Sequence, residues 1–564
     1  MTAGLLYSLQ TSLNIKMDAP GLVDAVSAED IGKFPDIDLA AAMQRIPGVT
    51  ASRGLSSLGG VPTSIGSATE ITVRGFGPAF NETLFGGRRT ASGIGRDFDF
   101  SSIGADFVSE VAVMKTPDAT LSSGAIGATV NIKFPLPFDH PGLRLVGSTS
   151  ATVSPEQGNV TPNMKALISD TFDGDRFGIL LDGGYSMGRT RGNHVNIQGW
   201  EGTQISAAQL AGAAPGASST PDTNAWFIQD YGIYHETTTE TRINGRAAIQ
   251  WRPADGLQFT LDDNFSRSSL HAIQYGYTAW FNSTSLRNVV QSPDGTIVDF
   301  VQPNTPTDFQ SQINGSVIQN NDTGLNVVWT RDDHLTLTFD YDVSQGWLNP
   351  GGQLNSLDAD VGYGASTAGG TNSSDLGIVV PGGHSLPYPT GYGPYGNGAA
   401  FIGNGLIGSH VLPIIAVQRY DRVQQARLEA GWAKDANLRV TIGYQYVGDH
   451  RTTRNSNDFV NNNWQAYAGY GPASNNTGSH GVALPQSLFA NAFATGDFIQ
   501  GFGGSRMLPP RILAFDAMGV VDYLQGLGNP QSQAIPGFNT GCCTPPFDGT
   551  YRLAAVAAAN TQTI

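Results

Sequence analysis

The chain contains very little cysteine and no long apolar run, and each shortage excludes a class of protein. Its only two cysteines in 564 residues are the neighbours Cys542 and Cys543, and one vicinal pair cannot build a disulfide scaffold. No run of about 18 apolar residues occurs, which excludes a membrane-spanning helix. Only 14% of the residues are charged, in a chain too long for one soluble core. Another kind of structure must therefore carry the apolar residues.

Positive charge is also scarce. Lysine and arginine number 31 against 47 acidic residues, for a net charge of −16, which argues against a nucleic-acid partner and gives no reason to expect a basic membrane-surface helix.

Catalytic and cofactor patterns are missing from the sequence as well. No G-x-S-x-G, H-E-x-x-H or G-x-x-x-x-G-K-[ST] pattern occurs, and the nine histidines occur singly. The stretch Gly391–Gly396 fits G-x-G-x-x-G, but it contains a proline and lies in a long loop rather than between a strand and a helix. We therefore predict no metal site, no cofactor and no enzymatic activity.

A short pattern, used three times, shows what the chain has instead. Trp251–Leu257, Trp329–Leu335 and Trp432–Leu438 each join two runs in which apolar and polar residues alternate. Alternation with period two indicates strands with one apolar face. A tryptophan before each tight turn is typical of the aromatic girdle of a membrane barrel.

Strands and loops alternate in a characteristic way after about residue 135. We predict strands at about 143–153, 163–172, 177–189, 240–251, 257–268, 322–330, 335–344, 421–432 and 437–449, with a possible tenth at Tyr551–Ala559. Turns of a few residues alternate with much longer connections, which matches short periplasmic turns and long extracellular loops. The loops near 191–238, 345–418 and 453–547 should therefore face outward.

Charged residues within these strands predict which face is wet. Arg242 and Arg246, with Asn244 and Gln250, alternate with apolar residues, and a lipid-facing arginine would cost about 2–4 kcal/mol at mid-bilayer. Arg427 and Glu429, with Gln425, follow the same pattern. We interpret the lumen as generally hydrated; the alternative is ion pairing with the N-terminal domain, through Glu110 or Lys115.

The first 134 residues differ, and they carry a family resemblance. Helical spacing at Leu39–Ile46 and short strands indicate a small α/β domain. The segments Val23–Asp36, Leu39–Val49, Ile71–Asn81, Gly86–Arg88 and Val108–Pro117, followed by Gly124–Ile132, resemble the plug of TonB-dependent outer-membrane receptors. The motif positions are Asp36, Arg45, Pro47, Gly48, Arg74, Gly75, Asn81, Gly87, Arg88, Glu110, Lys115, Gly124, Gly127 and Asn131.

The resemblance implies a fold and a mechanism. It implies an all-β antiparallel transmembrane barrel with an N-terminal α/β plug inside it, in the outer membrane of a Gram-negative bacterium, surrounded by outer-membrane lipid. It also implies that ligand binds at the outer loops and that TonB, driven through ExbB and ExbD, supplies the energy for import. The expected partition is residues 1–17 without a clear signal peptide or TonB box, a plug at 18–134 and a partial barrel at 135–564. Nine or ten strands are about half of a family-type barrel, so we expect a fragment of a longer receptor.

Loop aromatics are the predicted ligand contacts. They lie among Gly, Asn and Ser residues, a mixture suited to stacking on sugar faces and bonding hydroxyl groups, and they are Trp347, Tyr363, Tyr388, Tyr392, Tyr395, Trp464, Tyr467 and Tyr470. The favoured ligand is a carbohydrate, and an iron–siderophore complex is the alternative. A passive porin would lack the plug, and a membrane enzyme would need a catalytic constellation.

Overall fold

The structure is a computed structural model of the whole chain. It describes residues 12–17, 19, 21–27, 39–53, 57–58, 61–62, 68–95, 97–104, 108–117, 125–153, 159–197, 199–210, 224–303, 305, 307–332, 334–362, 376–379, 388–389, 407–435, 438–457, 483–495, 498–499, 511–527 and 561–563. Within those ranges no helix is both long enough and apolar enough to cross a membrane.

The N-terminal part is a small α/β domain, the plug. Its elements are β1 (Val23–Ser27), α1 (Leu39–Met43), β2 (Val49–Arg53), β3 (Ser57–Leu58), β4 (Val61–Pro62), β5 (Ala68–Val73), β6 (Glu82–Phe85), β7 (Arg88–Arg89), β8 (Glu110–Met114) and β9 (Thr129–Lys133). One sheet has the order β1-β8-β9-β6-β7, and all five residues of α1 are buried. Alternate residues of β8 and β9, among them Val111, Val113, Val130 and Ile132, form the core beneath the helix.

The remainder is dominated by nine long antiparallel strands. The elements in chain order are β10 (Arg144–Val153), β11 (Val160–Phe172), β12 (Phe177–Asn196), β13 (Trp200–Thr203), α2 (Ala207–Leu210), β14 (Ala225–Ile228), β15 (Asp230–Ala254), β16 (Leu257–Trp280), β17 (Arg287–Gln291), β18 (Ile297–Gln302), β19 (Thr307–Thr330), β20 (Leu335–Leu348), β21 (Ser356–Val361), β22 (Leu376–Val379), β23 (Tyr388–Pro389), β24 (Ile407–Val411), β25 (Ile414–Asp435), β26 (Leu438–Asn457), β27 (Ala483–Leu484), β28 (Asn491–Ala494), β29 (Arg511–Ala514), α3 (Ala517–Leu527) and β30 (Thr561–Thr563). The long strands pair in the order β10-β11-β12-β15-β16-β19-β20-β25-β26, which we call the wall. The plug and this barrel-like wall confirm the predicted fold class.

The tryptophan turns lie at one end of the wall, as predicted. Leu257 is the register partner of Trp329, and Leu335 is the partner of Trp432. Because register partners point to the same side of a sheet, the Trp and Leu residues share the outward face. Trp251 also lies against Phe259, with ring centroids 5.7 Å apart, so the aromatic girdle continues from strand to strand.

All nine predicted wall strands exist, but several run much further than predicted. Strand β15 begins at Asp230 rather than near 240, β16 ends at Trp280 rather than near 268, and β19 begins at Thr307 rather than near 322. Every large extension is at the end away from the tight turns, so parts of the predicted loops at 191–238 and 345–418 are strand. The alternation of apolar and polar residues weakens there because the outward face becomes polar, with Thr237, Thr239 and Thr241 on β15. The possible strand at Tyr551–Ala559 lies outside the described residues.

A second hydrophobic core covers the extended ends of the strands. Tyr231, Ile233, Tyr277 and Phe309 on the outward face pack against segments that follow the wall strands, including α3. The hydroxyl of Ser311 donates to the backbone oxygen of Phe515 at 2.6 Å. The wall therefore continues as a protein-covered sheet beyond the part whose outward apolar residues are exposed.

Candidate functional site: the contact between plug and wall

The site is a plug loop, residues 86–95, that lies against the inner face of the wall. The loop begins at Gly87, whose φ of 87° is in the left-handed region that favours glycine. The backbone N–H of Gly87 donates to Oδ1 of Asn131 at 2.8 Å, which ties the turn to the neighbouring plug strand β9. The next residue, Arg88, is thereby directed at the wall.

Arg88 forms the central contact between the two parts. Its Nε donates to Oδ1 of Asp340 at 2.9 Å and its Nη2 to Oδ2 at 3.0 Å, while its Nη1 donates to Oδ1 of Asp262 at 2.8 Å. A bidentate arginine–carboxylate pair is among the strongest polar contacts in proteins. Although burial lowers the pKa of Arg88, the two carboxylates raise it above its ordinary value. Arg88 is therefore held permanently charged between β16 and β20.

The residues after Arg88 continue the contact through backbone groups. The N–H of Ala91 donates to Oγ of Ser344 at 2.7 Å, and the N–H of Ser92 donates to Oδ2 of Asp421 at 3.0 Å. Asp421 also accepts from Nη2 of Arg451 at 2.8 Å. The plug loop is thus bonded to β20 and β25 as well as to β16.

Three glycines make the close approach possible. A Cβ atom at Gly324 would lie 1.9 Å from Nη1 of Arg88, one at Gly93 would lie 2.5 Å from the backbone of Trp347, and one at Gly346 would lie 2.7 Å from the nitrogen of Gly93. Real Cβ atoms do not approach other atoms so closely. The surface of the wall is therefore shaped to receive this loop.

The other plug motif residues act within the plug. Nη2 of Arg74 donates to the backbone oxygen of Gly127 at 2.6 Å, and Nδ2 of Asn81 donates to that of Ile71 at 3.1 Å. Gly48 and Gly75 have φ values of 75° and 82°, and the oxygen of Gly48 accepts from the N–H of Arg74 at 2.8 Å. Arg45 is exposed. Asp36 and Gly124 lie outside the described residues.

The predicted wet face of the wall is found, but its proposed plug partners are not. Arg242, Asn244, Arg246 and Gln250 are buried on the plug side, and Ile243, Ile249 and Trp251 are exposed on the other. Glu110 pairs with Lys133 at 3.0 Å, and Lys115 pairs with Asp24 and donates to the oxygen of Pro47 at 2.6 Å. The alternative of ion pairing through Glu110 or Lys115 is therefore not observed: both pair inside the plug, and Arg88 and Arg89 are the plug arginines that pair with the wall.

Arg246 and the Arg427–Glu429 pair also line the inner face. Nε of Arg246 donates to the backbone oxygen of Pro135 at 3.1 Å, and its Nη1 lies 3.4 Å from Oδ2 of Asp262. Arg427 pairs with Glu429 on its own strand. Asp262 therefore lies between two arginines, one from the plug and one from the wall.

A polar cleft of about 300 Å³ remains beside the loop. Plug residues that include Asn81, Glu82 and Arg89 line one side, and Asp449 and Arg451 of β26 are among those that line the other. Nε of Arg89 lies 3.4 Å from Glu82, and its Nη2 lies 3.6 Å from Asp449. This contact between plug and wall is looser than the one at Arg88.

The predicted ligand-contacting aromatics are only partly visible. Trp347 lies in β20, not in a loop, and its ring packs against that of Tyr420 with centroids 5.5 Å apart. Tyr388 lies in β23, whose side chains are outside the described residues, as are Tyr363, Tyr392, Tyr395, Trp464, Tyr467 and Tyr470. Ligand contact by this set stays a prediction.

Sequence reasoning missed the wall partners of the plug loop. Asp262, Asp340 and Ser344 belong to ordinary alternating strands, and nothing in their local sequence distinguishes them from other polar residues. The register that sets Asp340 opposite Arg427 is a property of strand pairing. Arg88 itself was found because it belongs to the motif.

The fold is therefore a barrel-like wall of antiparallel strands with a small α/β domain bonded to its inner face. Residues 15–129 match the family model described as the TonB-dependent receptor plug domain. These residues, the N-terminal fifth of the chain, are therefore identified as a TonB-dependent receptor plug domain. No curated protein matches the chain.

Solved structures that are similar to the chain at low sequence identity include two receptors and one transporter. A mutant of the ferric enterobactin receptor PfeA from Pseudomonas aeruginosa is 13% identical with a TM-score of 0.32, covering 79% of this chain and 72% of that one. The siderophore receptor PiuA from Acinetobacter baumannii is 12% identical with a TM-score of 0.27, covering 78% and 62%. The unliganded ferric citrate transporter FecA is 10% identical with a TM-score of 0.30, covering 80% and 91%.

Proposed function

We propose that the chain is an outer-membrane receptor that binds a scarce small ligand on its outward side and imports it with energy relayed by TonB, ExbB and ExbD. The observation that supports this most is the contact of Arg88 with Asp262 and Asp340, which holds the plug across the inner face of the wall. A passive porin needs an open lumen, and here the lumen side of β16, β19, β20 and β25 is bonded to plug atoms.

The strength of this contact explains why import requires energy. Opening breaks the three charge-assisted hydrogen bonds of Arg88, and a hydrogen bond to a charged group contributes about 1.5–3 kcal/mol. Opening the lumen separates Arg88 from two carboxylates at once, so spontaneous opening is rare. Mechanical work by TonB on the plug supplies what thermal motion does not.

We propose a neutral carbohydrate as the ligand. The net charge of −16 repels anionic ligands, which disfavours negatively charged ferric complexes, and the predicted loop aromatics suit sugar faces. A siderophore complex is the second candidate; PfeA is a ferric enterobactin receptor and PiuA is a siderophore receptor.

Uptake measurements separate these possibilities. Gram-negative cells that produce the protein are given labelled neutral oligosaccharides or a labelled ferric siderophore, with and without an uncoupler, in hosts with and without TonB. We expect oligosaccharide uptake that stops with the uncoupler and in the host without TonB. Uptake that persists in both cases would identify a porin, and uptake of the ferric siderophore alone would establish the second candidate.

The Arg88 contact is tested separately from the ligand. Arg88→Ala should admit small solutes without energy, measured as leakage from proteoliposomes. Arg45→Ala, which changes an exposed arginine of the same plug, is the matched control and should leak no more than the wild type. Equal leakage from both variants would show that Arg88 does not keep the lumen closed.

A further inference from the structure

A cluster of acidic side chains and one histidine lies on the extended ends of the wall strands. Asp308 is in β19, Asp360 in β21 and His410 in β24. One potential ligand atom from each of them lies within 4.8 Å of the other two. The three strands are consecutive neighbours in the sheet: Asp360 is the register partner of Gln310 on one side and of Val411 on the other.

The cluster is outside the bilayer. Asp308 precedes Trp329 of the aromatic girdle by 21 positions in one continuous strand, which is roughly 70 Å of strand at about 3.3 Å per residue. The apolar band of a membrane barrel is only about 25 Å tall. The site therefore belongs to the protein-covered part of the wall.

The carboxylates are buried without enough positive charge. Asp308 is fully buried, with 0% of its surface exposed, and its Oδ2 lies 2.9 Å from Nδ1 of His410. Its Oδ1 has no hydrogen-bond partner, and neither has Oδ1 of Asp360. Within the described ranges no lysine or arginine pairs with either residue.

A third carboxyl group lies beside the cluster. Asp358, two residues before Asp360 on the same face of β21, accepts from Nε2 of Gln310 at 2.6 Å and leaves its own Oδ1 unpartnered. The ring of Tyr234 lies over Gly276, where a Cβ atom would be 2.7 Å from it. Three carboxyl groups, those of Asp308, Asp358 and Asp360, are thus collected in one region of the sheet, and each has an oxygen without a hydrogen-bond partner.

We propose that Asp308, Asp360 and His410 bind one divalent first-row transition-metal ion, which joins β19, β21 and β24. A dication supplies the positive charge that the buried carboxylates lack, and it satisfies oxygens that hydrogen bonds do not. The imidazole favours Zn²⁺ or Mn²⁺ over Ca²⁺, because calcium prefers an all-oxygen shell. Nearest-neighbour strands supply all three ligands, so the ion fixes the sheet beneath the outer loops.

Sequence spacing could not reveal this site. Asp308 and Asp360 are 52 residues apart along the chain, and Asp360 and His410 are 50 residues apart, so no local spacing connects the three. The expectation of no metal site rested on the absence of local motifs, whereas strand pairing brings these residues together.

Metal analysis of the purified full chain in detergent tests the proposal. The protein is stripped with a chelator, dialysed against Zn²⁺, Mn²⁺ or Ca²⁺ in parallel, and its metal content is measured. We expect one Zn²⁺ or Mn²⁺ per chain, and binding at least about tenfold weaker in Asp360→Asn and His410→Gln. His271→Gln, which removes a histidine from the exposed face of β16, is the matched control and should bind as the wild type does.

A spectroscopic measurement on the wild type keeps the test independent of how well the variants fold. Co²⁺ substituted into the site should give visible absorption bands characteristic of nitrogen and oxygen ligation, and these should be absent in His410→Gln. Wild-type protein that binds no ion, or that binds Ca²⁺ alone, would overturn the proposal, as would equal loss of binding in His271→Gln.

Discussion

The turn-side and loop-side halves of the wall use the same face of the same strands in different ways. On β15 the outward residues Ile243, Ile249 and Trp251 are exposed, and Ile243 is 48% exposed. Further along the same face Ile233 is only 1% exposed, because segments after the wall cover it. Between them the face is polar, with Thr237, Thr239 and Thr241.

This order of apolar, polar and apolar zones indicates two different environments for apolar side chains. From Ile243 to Trp251 there are eight residue steps, about 26 Å of strand, and a tilt of roughly 40° reduces this to about 20 Å, which fits within a membrane barrel's apolar band of about 25 Å. The proposed function implies that lipid covers the turn-side zone. Protein covers the loop-side zone, and the threonines mark the membrane surface.

The largest expected effect on stability comes from replacing one phenylalanine in each zone with alanine. Phe309→Ala should destabilise the protein by about 3–5 kcal/mol, because it leaves a cavity in a packed protein core. Phe259→Ala, on the lipid-covered zone, should cost far less, since detergent or lipid fills the space. Unfolding of both variants by denaturant in detergent micelles measures the difference, and equal losses would contradict the distinction between the zones.

A smaller effect is expected from placing a charge on the outward face. Ala247→Arg, midway between Ile243 and Trp251 on the same exposed face, puts a cation in the middle of the lipid-covered zone and should cost about 2–4 kcal/mol. Thr237→Arg, on the same face of the same strand but in the polar zone, should cost almost nothing. The fraction of each variant that assembles in lipid vesicles reports the cost, and poor assembly of Thr237→Arg would place the membrane surface elsewhere.

The sequence predicts the turn-side half of the wall well and the loop-side half poorly, for a physical reason. Lipid imposes strict alternation, so Leu337, Phe339 and Tyr341 reveal both the strand and its outward face. Beyond the membrane the outward face is polar and then covered by distant segments, so the local pattern no longer distinguishes strand from loop. Partnerships such as Arg88 with Asp340 and Asp308 with His410 depend on register, which is set by residues far away in the chain.

The smallest expected effect on stability concerns the plug, which belongs to neither zone of the wall, and it involves Glu70. Burial, together with Asp97 and Asp99, raises the pKa of Glu70 from 4.5 to about 7. A raised carboxyl pKa means that the folded state binds the proton more tightly, so stability is greatest at low pH and falls as pH rises from about 4.5 to 7.

Glu70→Gln removes this pH dependence. At pH 8 the variant should be more stable than the wild type by about 1 kcal/mol, allowing for partial exposure of Glu70, and at pH 4.5 the two should be alike. Thermal unfolding followed across this pH range checks it. A wild-type stability that rises between pH 5 and 7 relative to the variant would show that Glu70 is stabilised as a carboxylate.

Depth measurements in a bilayer test the central distinction most directly. With Cys542 and Cys543 replaced by serine, single cysteines at positions 243, 261 and 339 and at position 237 carry spin labels in proteoliposomes. The two-zone wall predicts high oxygen accessibility and low accessibility to a water-soluble nickel reagent at the first three, and the reverse at position 237. Equal accessibility to the nickel reagent at all four positions would contradict it.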